Sequence, residues 1–152
     1  MESKADFVHK HLEPLTIAVF GDVIDFEYNE ASSIKFVSVR RNKACGIFTL
    51  NIDITDSNFV QITIDVLKYI KINGGGIKPM ENKADFVQRH LSPFLIAALR
   101  EEVIDVKYAE TGSYEIVTVT YVNKSGEMQT KNINVTGDST LQLAIDVLEN
   151  FK

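Results

Sequence analysis

The sequence holds a single cysteine, Cys45, in 152 residues. One thiol cannot close an internal disulfide and leaves no partner for a Cys-x-x-Cys pair. No apolar run approaches the roughly 20 residues of a membrane span. The opening stretch MESKADFVHKHLEPL has neither a continuous apolar core nor a small-residue cleavage site, so it does not read as a signal peptide. The expected location is therefore the reducing cytoplasm, with no membrane partner. Basic blocks are also lacking. Lys and Arg number 16 against 21 Asp and Glu, for a net charge of −5, and they are dispersed along the chain. A nucleic-acid partner would need a local positive field, so none is expected.

Motifs that carry chemistry are equally scarce. The glycines at 74–76 have no Lys-Ser/Thr after them, so they fail as a phosphate loop. His9 and His11 are two residues apart, whereas helical metal-ligand pairs are spaced three or four. The matching positions later in the chain are Gln88 and His90, so the pair is not repeated. Asp65 and Asp146 recur within IDVL, but each falls on the polar stripe of a helix, where a solvated carboxylate suits acid–base work poorly. Cys45 has no neighbouring base to activate it. No catalytic residue, metal or cofactor is expected.

The sequence does contain itself twice. MESKADFVHKHLEPLTIA (1–18) lies over MENKADFVQRHLSPFLIA (80–97), and VIDFEYNE (23–30) over VIDVKYAE (103–110). KFVSV matches EIVTV, NIDIT matches NINVT, and VQITIDVL matches LQLAIDVL, all in the same order. Similarity that stays in register over five segments marks a duplication. The repeats are expected at 1–70 and 80–152, joined by a Gly-rich linker at 71–79.

Each repeat reads as helix, three strands, helix. Ser3 and Asn82 each precede an acid by three residues, as helix caps do. Ala5, Val8, Leu12, Leu15 and Val19 form a stripe of helical period. Pro14 and Pro93 predict a kink, or a break and restart. Alternation in VIDFEYNE and VIDVKYAE sends Ile24, Phe26 and Tyr28, and likewise Ile104, Val106 and Tyr108, to one face. Short turns then predict an antiparallel meander. Thr55-Asp56-Ser57 and residues 136–139 supply caps for the last helices. The fold class is thus α+β: a tandem duplication of an α-β-β-β-α unit, each a three-stranded antiparallel meander with two helices on one face.

That element order is shared with the double-stranded RNA-binding domain. The likeness is one of topology alone, because the start of the second helix is acidic (TDSN and TGDST) where phosphate binding needs cations. The sheet face away from the helices is the more informative surface. It should present Asp25, Phe36, Arg40 and Asp53 in the first repeat, and Asp105, Tyr114, Ile116 and Thr120 in the second. Apolar area mixed with polar rows there suits an interface. The expected function is a non-enzymatic protein-interaction or assembly module, built as a fused pseudo-dimer about a pseudo-twofold axis. Small acidic accessory proteins of phages and mobile elements include modules of this type. The alternative is a ligand or enzymatic pocket where the repeats meet.

Overall fold

Two side-chain caps start the two halves of the fold. Ser3 Oγ accepts the N–H of Asp6 at 3.1 Å, and Asn82 Oδ1 accepts that of Asp85 at 3.3 Å. A computed structural model of the chain describes residues 3–43, 46–55, 58–74, 82–99 and 102–151. Its contacts divide the chain into two units, Met1–Lys78 and Pro79–Phe151.

In the first unit α1 (Lys4–Phe7) runs into a wide π turn (Val8–Leu12) and on into α2 (Glu13–Val19). Strands β1 (Val23–Ala31), β2 (Ile34–Lys43) and β3 (Gly46–Asp53) follow, then α3 (Phe59–Ile72). In the second unit α4 (Lys83–Phe86), a π turn (Val87–Leu91) and α5 (Ser92–Leu99) precede β4 (Val103–Thr111), β5 (Tyr114–Val122), β6 (Met128–Asn134) and α6 (Thr140–Glu149). The sheets are ordered β1-β2-β3 and β4-β5-β6, antiparallel throughout. The class is α+β, with one three-stranded sheet in each unit.

Three local expectations are corrected. The helix does not break at Pro14. A proline has no N–H to donate, and its ring crowds the carbonyl four residues back. The turn just before it is widened instead, with Glu13 N–H donating to the Val8 carbonyl five residues earlier. Ser92 N–H does the same to Val87 ahead of Pro93. Ile24 does not share a face with Phe26 either. Val23 pairs with Arg41 and Asp25 with Arg40, which leaves Ile24 as the extra residue of a bulge. It stands 39% exposed while Val23 takes the inward place at 7%. Ile104 and Val103 repeat this at 48% and 6%. Finally, the cap of α3 is Asn58, whose Oδ1 accepts Gln61 N–H at 2.8 Å. Asp56 and Ser57 lie outside the described residues, as do Cys45 and positions 75–79 of the expected linker. Helix α3 itself extends to Ile72, two residues into that stretch.

The Asn58 cap sets a measurable quantity. Asn58→Ala leaves an N–H in the first turn of α3 without its partner, and the first unit should lose about 1 kcal/mol in urea unfolding.

Beyond the bulges the strands alternate. Phe26, Val37, Val39 and Ile52 are buried on one face, as are Val106, Val117, Val119 and Ile133 in the second unit. The π turns and the helices after them pack against β1 and β4, and α3 touches β3. The opposite faces of the sheets carry the residues considered next.

Candidate interaction surface

Register places the open face of the first sheet in cross-strand rows. Asp25, Arg40 and Thr49 form one row, Glu27, Ser38 and Asn51 the next, and Asn29, Phe36 and Asp53 the third. Directly opposed side chains on one face are close enough to interact, and these do. Arg40 grips Asp25 with both ends of its fork, Nε donating to Oδ1 at 2.7 Å and Nη2 to Oδ2. That guanidinium hydrogen bond holds the Asp25 carboxyl below its usual range. Both partners are well exposed, so the pair contributes little to stability. Ser38 Oγ donates to Asn51 Oδ1 at 2.7 Å and accepts from Asn29 Nδ2 at 3.3 Å. Asp53 is committed locally: its Oδ1 accepts the N–H and hydroxyl of Thr55 at 2.9 and 2.6 Å, which lower its pKa. Asn134 makes the same two bonds to Thr136, so the Asp/Asn difference between repeats leaves this turn unchanged.

The rows of the second sheet read Asp105, Thr120, Thr130; then Lys107, Thr118, Asn132; then Ala109, Ile116, Asn134. Thr118 donates to Asn132 at 2.8 Å, and Lys107 lies 3.6 Å from Asp105. Apolar residues bracket these polar rows. Phe36 and Ile116 are half-buried within them. Ile34 (51% exposed), Ile47 (61%), Tyr114 (58%) and Met128 (69%) stand on the same faces at the strand ends. The structure thus sets Asp25 beside Arg40, Phe36 beside Asp53 and Asp105 beside Thr120, with Tyr114 and Ile116 two residues apart on one strand.

No protein-family description matches this chain, nor does any curated protein or solved structure.

Among the described residues no group of three His, Cys, Asp or Glu side chains could hold a metal ion. None of the described helices is long and apolar enough to cross a membrane. A shallow groove of about 370 Å³ runs between β3 and α3, lined by Asn51, Asp53, Asp65, Lys68, Tyr69 and Ile72 among others. None of its lining residues is a Ser, Thr, Cys or His, so it offers no aliphatic hydroxyl, thiol or imidazole. Asp65 accepts Gln61 Nε2 at 2.8 Å, and Asp146 accepts Gln142 Nε2 at the same distance.

A second constellation was not legible in the sequence. Lys83, in the second KADFV, donates to Glu115 Oε2 at 2.8 Å, and Tyr108 Oη donates to the same oxygen at 2.5 Å. Gly137 N–H donates to Glu115 Oε1 at 2.9 Å. That backbone bond first, then Lys83 and Tyr108, bring the Glu115 carboxyl down to about 2. Burial, together with Glu115 and Glu110, pushes the Tyr108 phenol well above its ordinary value. In the first unit Lys35 stands where Glu115 does, and Lys4 donates instead to the carbonyls of Ile54 (3.1 Å) and Thr55 (2.7 Å). The lysine of each KADFV therefore pins the opening helix to the far end of its own sheet. Asp138 and Asp146 border this cluster, and the only sequence sign was an acid at 138 where the first repeat has Ser57.

Proposed function

We propose that this chain is a non-enzymatic protein-interaction or assembly module of the cytoplasm, a tandem duplication of an α-β-β-β-α unit with both helices of each unit on one side of its sheet. The observation that carries this reading is the composition of the two open sheet faces. Each has polar cross-strand rows bordered by exposed apolar side chains, Ile34 and Ile47 in one unit and Tyr114 and Met128 in the other. An apolar centre or border among hydrogen-bonding groups is what protein interfaces use. Ser38, Asn51 and Thr118 can hydrogen-bond a partner, but they do not form a nucleophile–base pair.

A photo-crosslinking amino acid at Ser38 or Thr118 tests the surface. Crosslinked species should form from these positions and not from Lys68 on α3. The exposed substitutions Ile34→Asp and Tyr114→Asp should reduce that yield at least tenfold while leaving the unfolding midpoint within about 0.5 kcal/mol of the parent. Equal yields from Ser38, Thr118 and Lys68, or yields indifferent to the two charges, would remove the open faces as the contact surface.

A further inference from the structure

The turn between β6 and α6 is fixed on every side of Asp138. Its own N–H donates to the Val135 carbonyl at 3.0 Å, and the neighbouring Gly137 N–H is held by Glu115. Thr136 Oγ1 donates to Asn134 and accepts the N–H of Glu115 at 2.9 Å. Ser139, on the other side, is the cap of α6, with its Oγ accepting Gln142 N–H at 3.1 Å. These bonds hold the Asp138 backbone in place at the start of α6. It lies within hydrogen-bonding reach of the Asp146 carboxyl, on the second turn of α6. Yet Asp138 Oδ2 is buried and has no donor.

Two carboxylates in that position are both acceptors, so neither can satisfy the other. A single proton between them supplies the missing donor and removes the like-charge repulsion at once. We propose that Asp138 and Asp146 share one proton and act as a pH-operated latch on the first turn of α6, closed when the proton is held and loosened when both carboxyls are ionised.

The charges facing the pair act in both directions. Burial is the largest influence on Asp138 and Asp146 the next, both favouring the protonated form. Glu115 on β5 adds to this, while Lys83 on α4 opposes it. Lys83 is already engaged with Glu115, and Tyr108 on β4 is bound to the same carboxylate. Together they push the Asp138 carboxyl up to about 7. A carboxyl raised in the folded state stabilises it most below its unfolded value. That contribution disappears as pH rises through about 7. The loosened turn would uncover Thr140 and Leu141, which are 5% and 0% exposed in the closed form. The first repeat has Ser57 at the sequence position that matches Asp138.

Amide hydrogen exchange on the full chain tests this, after correction for the chemical exchange rate at each pH. Protection at residues 140–143 should fall about tenfold between pH 6 and pH 8, while residues 60–63 of the first unit stay level. Asp138→Asn and Asp146→Asn should each flatten the pH dependence. A carbon-13 carboxyl titration, which needs no variant, should show one group with a midpoint near 7. Flat protection at 140–143 in the parent chain, or both carboxyls titrating below pH 5, would overturn the latch.

Discussion

Arg41→Ala is expected to cost the first unit about 3–5 kcal/mol, because it strands a buried charge. Arg41 is 1% exposed and lies on the covered side of β2. Its Nη2 donates to Asp22 Oδ2 at 2.8 Å, and its Nη1 donates to the carbonyl of Asn73 at the C-terminus of α3 at 2.9 Å. Alanine leaves the Asp22 carboxylate (17% exposed) without its cation and opens a cavity where the guanidinium stem packed. The pair is nonetheless imperfect, since Asp22 Oδ1 and Arg41 Nε are buried without partners. Breaking it and replacing it should therefore differ sharply. Arg41→Met combined with Asp22→Asn removes both charges and keeps the volume, and should recover at least half of the loss. Denaturant unfolding followed by a probe in the first unit reads both values. A loss below about 1 kcal/mol for Arg41→Ala would show that solvent reaches Asp22 and that the pair is not buried in effect.

The second unit has an aromatic residue at the matching place. Tyr121 occupies the matching register position opposite Val103. Its ring meets Phe151 edge-on at 5.7 Å, and Lys131 Nζ sits 5.0 Å from the Phe151 centroid. Lys131 also donates to the carbonyl of Asn150 at 2.8 Å. Each unit thus brings a cation to the last carbonyls of its final helix, where the helix dipole favours one. The first takes it from the middle strand and the second from an edge strand.

What could be read from the sequence was local or strictly periodic. Ser3 and Asn82 announce helix starts because a cap and its target lie three residues apart. Ser38 and Arg40 alternate with Val37 and Val39, so the polar face of β2 is visible at period two. The bulge at Ile24 is not visible, since V-I-D-F-E-Y alternates equally well with isoleucine turned inward. Only the pairing of Val23 with Arg41 shifts the frame. The π turns depend on bonds five residues long, which proline position alone does not specify. Arg41 reads as the second half of an exposed Arg-Arg pair, and its burial rests on Asp22 and Asn73, 19 and 32 residues away. Asp138 looks like one more turn residue until the fold carries Glu115 and Lys83 to it.

The phenylalanine of KADFV carries the other large effect. Phe7 and Phe86 are both 0% exposed, so Phe→Ala at either should cost about 3–5 kcal/mol. A unit of about 70 residues has total stability on the order of 5 kcal/mol, so either variant brings its unit close to the unfolding midpoint. The two sites differ in what the ring meets. Phe7 stacks on Phe59, the first residue of α3, with centroids 4.2 Å apart and an interplanar angle of 7°. In the second unit Thr140 stands where Phe59 does, and Phe86 has the tilted His90 ring at 5.7 Å. His11 gives Phe7 the same tilted neighbour at 5.8 Å, so the stack is the feature that distinguishes the first unit. A double-mutant cycle on Phe7 and Phe59 should yield a coupling of about 0.5–1.5 kcal/mol. The matching cycle on Phe86 and Thr140 should yield less than about 0.5 kcal/mol, because a threonine methyl gives up little contact. Equal couplings in the two units would mean that area alone, and not ring geometry, ties the opening helix to the closing one.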